Sequence, residues 1–256
     1  MIRATARRAL LGALLLASAA CVAPPPYRRA TDYPRRIADV QAVTLVPPLV
    51  SVYAMSSGNV EQEVQEWSDA ANRHAHAAVR DFVERAGKRY VAYAGSHPPR
   101  PDFRLGAGRE SQRSGLTKAE ESWLLFESLE AAVLRHTYDP AHTFPREMKG
   151  LSYTLGAESR ALLDGTQADA FLLMIATDHV PTAERQALIG IGAAAAVVTR
   201  SYAGPGMTPA ELVAALVDAR TGDVLYFNKV SMPLSDLRDA NANKALVDLV
   251  LAGMFQ

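Results

Sequence analysis

The chain has 256 residues, and its 27 basic and 27 acidic side chains cancel. Apolar residues make up 49% of it, enough to bury a sizeable core, so a chain disordered throughout is excluded. The balance of charge argues against a nucleic-acid binder, which carries a basic excess or stripe, and a single cysteine excludes a disulfide framework within the chain.

The first 20 residues read as a targeting segment. Arg3, Arg7 and Arg8 form a positive start, Ala9 to Ala17 an apolar run, and Ser18-Ala19-Ala20 a small-residue cleavage region. The apolar run is far shorter than the roughly 20 residues needed to span a bilayer. Cys21, the only cysteine, follows at once. This arrangement resembles the lipobox of bacterial lipoproteins, in which an aliphatic residue and two small residues precede the cysteine. The resemblance implies that Cys21 becomes the first mature residue and carries a diacylglycerol thioether and an N-acyl chain. It also implies, through Val22, sorting to the outer membrane with the domain on the periplasmic face. Ser18 departs from the pattern, since the family usually has leucine there and Leu16 comes two places too early. The alternative is plain signal-peptidase cleavage that leaves a free thiol.

Residues 21–36 carry a run of prolines and four arginines, Arg28, Arg29, Arg35 and Arg36. Proline stretches favour extended polyproline II, so this span reads as a lipidated tether, with the globular domain running from 37 to 256. Loss of the three arginines of the leader leaves the mature chain slightly acidic, which implies no basic partner surface.

Within the domain, Val40 to Ala54 is rich in β-branched residues and is interrupted by Pro47-Pro48, the pattern of a strand that ends or turns there. Val60, Val64, Trp67, Ala71, Ala75, Ala78, Phe82 and Ala86 recur at helical spacing, and Gly87 stops the helix. Arg89 to Gly95 reads as a second strand, paired in parallel with the first across that helix. Ser96 to Gly115 reads as a surface loop. Thr117 and Glu120 form a capping box that opens a helix to about Thr137. A loop (Asp139 to Pro145) and a short helix (Glu158 to Leu163) follow. Ala168 to Val180 is almost continuously apolar, as a strand buried on both faces must be. Glu211 to Met232 reads as a hairpin about the turn Ala219-Arg220-Thr221-Gly222-Asp223, and Asn241 to Phe255 as a closing helix. The order implies an α/β fold, a single mixed β-sheet packed with amphipathic helices.

Three motifs carry a resemblance within this domain. ALVDARTGDVLYFNK, VTLVPP and GTQADAFLLMIAT are similar to elements of envelope lipoproteins related to the LpoB-type activators of penicillin-binding proteins and to the N-terminal domain of TolB. The similarity extends to a group of lipoproteins of unknown function that share the domain. It implies a non-catalytic, lipid-anchored envelope protein that binds or regulates envelope assemblies through a protein partner or through self-association, and it assigns no catalytic residue.

The residues themselves offer few catalytic or metal-binding patterns. His74 and His76 stand two apart on a helix, on different faces. His136, Asp139 and His142 lack further zinc ligands. Gly106 to Ser111 lacks the lysine of a phosphate loop, and no nucleophile elbow is present. The sequence therefore calls for no cofactor, metal or nucleic acid. Asp178 and His179 end a strand, where α/β folds place reactive groups, so a periplasmic hydrolase using them is the alternative. One stretch stands apart. Leu188 to Val198, with Leu188, Ile189, Ile191, Val197 and Val198 as its large side chains, is either a buried helix or strand-connecting insertion in the core, or an exposed apolar hairpin that packs on a partner or dips into lipid.

Overall fold

The computed structural model describes residues 26–95, 116–202 and 204–256. The leader, Cys21 and the 96–115 loop lie outside the described residues. The fold is built on β6 (Ala170–Pro181), whose 12 residues run through the middle of a mixed eight-stranded sheet. Successive side chains of a strand point to opposite faces, and β6 is apolar on both. Leu172, Met174 and Ala176 join one core cluster, while Phe171, Leu173 and Ile175 belong to the other. This explains why its sequence shows a continuous apolar run and no alternation.

On one edge of β6 lies the hairpin of β7 (Ala210–Asp218) and β8 (Val224–Met232), antiparallel throughout. Its turn is the expected one, with Gly222 at φ 76°. On the other edge, Val40 to Ala54 provides two strands rather than one. β2 (Ala42–Leu45) and β3 (Leu49–Met55) both pair in parallel with β6. Leu45 sits opposite Leu172 and Leu49 opposite Ile175, so the proline pair occupies a one-residue bulge. β5 (Arg89–Val91) pairs in parallel with β2, as expected from the long helix between them.

That helix is shorter than its periodicity suggests. α2 spans Gln65–Arg85, while β4 (Glu61–Glu63) pairs antiparallel with β3. The cross-strand bond from Val64 N–H to the Val52 carbonyl holds the chain extended before the helix begins. α2 and α6 (Ala240–Val250) cover one face of the sheet. The other face is covered by α3 (Lys118–Thr137), with both bonds of its capping box formed, and by a 3₁₀ turn at Ala157–Leu163. A short helix, α4 (Pro145–Lys149), follows the Asp139–Pro145 loop.

The tether assigned to 21–36 needs correction, because the described part of it, 26–36, belongs to the fold. β1 (Arg28–Arg29) pairs antiparallel with β8, and α1 (Tyr33–Asp39) buries Tyr33 and Ile37. Arg28, Arg29 and Arg36 turn towards the fold, while Arg35 stays exposed beside Asp32. Arg28 donates to the Thr137 carbonyl at 2.8 Å. The Arg29 guanidinium lies 4.5 Å over Tyr27 and 4.7 Å over Tyr33. The prolines mislead because Pro34 stands in the first turn of α1, where a missing N–H costs nothing. The domain therefore begins before Ile37. No helix among the described residues is long and apolar enough to cross a membrane.

Candidate functional site

α5 (Ala183–Thr199) leaves the end of β6 and carries every residue singled out in the apolar stretch. Thr182 caps it, its hydroxyl accepting from Arg185 N–H. The base of the helix is fastened by Arg185, which is 4% exposed. A guanidinium is buried cheaply only when its donors find acceptors. Arg185 Nη1 donates to the Ser56 carbonyl at 3.0 Å and to Asn59 Oδ1 at 2.6 Å, and Nη2 donates to the Gly206 carbonyl at 2.7 Å. One side chain thus ties α5 to the β3–β4 turn and to the segment that returns to β7.

Beyond that staple the helix stands in solvent. Of its residues only Arg185 and Gly192 are buried. Gly192 is where the return segment crosses, and a Cβ there would lie 2.8 Å from the Gly204 Cα. Leu188 and Ile191 are exposed, and Val197 and Val198 retain 83% and 84% of their surface. Ile189 is half-buried. The core reading of this segment is thereby corrected: it lies at the surface, as a helix and not a hairpin. The alanine run explains the difference, since alanine is the strongest helix former. From Ala187 to Thr199 the helix has no charged residue.

The apolar surface continues beside the helix. A cleft of about 210 Å³ brings together Ile189, Met207 and Leu234 among its walls. Tyr202, Met207 and Leu234 are all exposed, Leu234 to 79%. Leu234 sits at φ 61°, a left-handed conformation uncommon for a branched side chain. No sequence signal marks Leu234 or Arg185, because neither positive φ at a leucine nor the burial of one arginine is written in a local pattern.

Asp178 and His179 do not converge. As neighbours on β6 they point to opposite faces of the sheet. Asp178 is fully buried and accepts the Leu237 N–H at Oδ2, 2.9 Å away. Burial pushes its carboxyl above the ordinary value, with the Leu237 hydrogen bond opposing. His179 stacks on Tyr53 with ring centroids 5.4 Å apart, and its Nε2 lies 3.4 Å from Glu61 Oε1. It lines the cleft without Asp178. Two of the other histidines are engaged locally. His136 stacks on Phe144 and bonds the Tyr153 hydroxyl, and His142 bonds Asp139. Among the described residues, no group of three His, Cys, Asp or Glu side chains is placed to hold a metal ion.

A larger polar cleft, about 510 Å³, lies at the opposite end of the sheet, between Arg36, Arg160, Asp169 and Arg220. Two of its charged groups, Asp169 and Arg36, are used structurally. Asp169 Oδ2 accepts the N–H groups of Gln41 and Ala42, and Arg36 is committed to Asp218 and Asp223. No protein-family model matches the chain, and neither a curated protein nor a solved structure matches it.

Proposed function

We propose that this chain is a non-catalytic, lipid-anchored cell-envelope protein of the outer membrane's periplasmic face, which binds or regulates envelope assemblies and presents α5 as a contact surface. The observation that carries the reading is the exposure of α5. A helix apolar on nearly all sides is normally buried, and covering an exposed Val, Leu or Ile contributes roughly 1.5–3 kcal/mol each. An otherwise well-packed domain that leaves such a helix in water is presenting it to something.

The lipobox-like Cys21 and the resemblance to envelope lipoproteins support the location. The divergence of Asp178 and His179 leaves the hydrolase alternative without an assembled pair. Metabolic labelling with an alkynyl palmitate tests the anchor. The wild type is tagged and Cys21→Ala is not, whereas equal tagging of the two overturns the proposal.

A further inference from the structure

We infer that α5 is a second membrane contact, a helix that lies in the surface of the phospholipid bilayer to which Cys21 is attached. The inference rests on the lipid anchor proposed above and names what the exposed helix meets.

The direction of the chain carries it. β1 runs antiparallel to β8, with Arg28 opposite Phe227 and Arg29 opposite Tyr226. Followed backwards from Arg28 towards Pro26, the chain therefore heads for the Met232 end of β8. Met232 pairs with Ala210, the first residue of β7, and Glu211 pairs with Thr177 near the end of β6. α5 starts from that same end, at Ala183. At Pro26, the first described residue, the chain thus points towards the end that bears α5. From Cys21 to Pro26 the chain reaches at most ~18 Å. A lipid on Cys21 holds this end of the domain, and not the Arg220 turn, against the membrane.

The chemistry and size of the surface agree. The uncharged stretch from Ala187 to Thr199 is followed by Arg200, an exposed cation placed to meet headgroup phosphates. Tyr202, Met207 and Leu234 extend the apolar face beyond the helix. The strained backbone of Leu234 directs a large apolar side chain outward, a cost that only an apolar contact returns. A second copy of the chain fits less well. Seventeen residues make a helix about 25 Å long and 10–12 Å across, a footprint on the order of 300 Å². A stable protein interface takes about 800 Å² from each partner, whereas a bilayer surface sets no such minimum. The several acyl chains on Cys21 already suffice for attachment, so the α5 contact fixes how the domain lies on the surface rather than whether it stays there.

The test uses the mature lipidated protein in vesicles of phosphatidylethanolamine and phosphatidylglycerol. With Cys21 blocked by lipid, Val197→Cys supplies one free thiol for an NBD dye, and Arg220→Cys supplies the control at the far end. The expected result is one dye per chain, a blue-shifted emission at position 197, and loss of most of it when brominated lipid is included, with no loss at 220. Equal, weak quenching at the two positions overturns the membrane contact while leaving the anchor standing. A blue shift that resists brominated lipid and fades on dilution of the protein overturns it in favour of a second copy. Two dyes per chain overturn lipid attachment itself, and the membrane contact with it.

Discussion

Arg36 Nη2 lies 2.7 Å from Asp218 Oδ2, so a residue of the first helix clamps the turn of the β7–β8 hairpin. Its Nη1 reaches Asp223 Oδ2 at 2.9 Å, and Nη2 also donates to Thr221 Oγ1 at 2.8 Å. Burial alone would raise the Asp218 carboxyl. Hydrogen bonds from Arg36 and from the Arg220 and Thr221 N–H groups outweigh it and hold the carboxyl below its ordinary value.

Removing that clamp is costly. Arg36→Ala leaves Asp218 poorly solvated and without its cation, so urea unfolding at neutral pH is expected to show a loss of about 2–4 kcal/mol. The pH dependence follows from the direction of the Asp218 shift. A carboxyl whose folded value is depressed adds stability that is complete above its unfolded value of about 3.9, and this is lost as pH falls through the lower folded value. The difference between wild type and Arg36→Ala therefore narrows below about pH 4. A difference that is constant with pH contradicts this account.

The same contact marks the limit of what the sequence discloses. β6, the β7–β8 hairpin and the α3 capping box are legible because each is encoded locally, by an apolar run, a glycine turn and a Thr-x-x-Glu spacing. Pairing in parallel between β2 and β5 follows from the helix that joins them. The role of residues 26–36 is not legible, because prolines and arginines carry the same local signal in a tether as in a helix start held by distant acceptors. Arg36 finds its partners 182 and 187 residues away. For α5 the composition leaves the choice between core and surface open. Only the packing of α2, α3 and α6 shows that both faces of the sheet are already covered.

Asp178 tests the reading of the strand end. Its folded value is raised, so its ionised form is disfavoured in the fold. The sign is opposite to that of Asp218. This carboxyl costs stability as pH rises from the unfolded value through the folded one, and the penalty is complete only above the folded value. Asp178→Asn keeps an acceptor for the Leu237 N–H and drops the charge, so it is expected to match or exceed wild-type stability at pH 7. Asp178→Leu leaves that N–H unsatisfied and is expected to lose about 1–3 kcal/mol. Paired thermal melts decide this, and an asparagine variant as unstable as the leucine variant contradicts it.

Gly222 combines two demands. Its φ of 76° is left-handed, and a Cβ would fall 2.0 Å from the Gly156 carbonyl oxygen. That carbonyl belongs to the segment whose Leu155 N–H donates to the Gly222 carbonyl, so neither strand of chain can move alone. Gly222→Ala is expected to cost about 2–4 kcal/mol, beyond the strain of left-handed backbone alone. Denaturant unfolding measures it, and a loss under about 1 kcal/mol shows that the turn relaxes freely.

The exposed end of α5 makes the opposite prediction. Val197 and Val198 keep more than four-fifths of their surface, so replacing both by aspartate removes no packing. Surface changes of this kind stay within about ±0.5 kcal/mol per site, and the melting curve of the Val197→Asp, Val198→Asp variant should overlay that of wild type. What should change is adhesion. Retention on a phenyl hydrophobic-interaction column is expected to fall sharply, because two charges now interrupt the apolar face that α5 shares with Tyr202, Met207 and Leu234. Arg185→Met separates the face from its support. It keeps every exposed apolar residue but leaves the Ser56 and Gly206 carbonyls without their shared donor, so amide exchange is expected to accelerate in 183–199 before it does in β6. A double aspartate variant that unfolds instead would place α5 in the core and remove the basis for treating it as a contact surface.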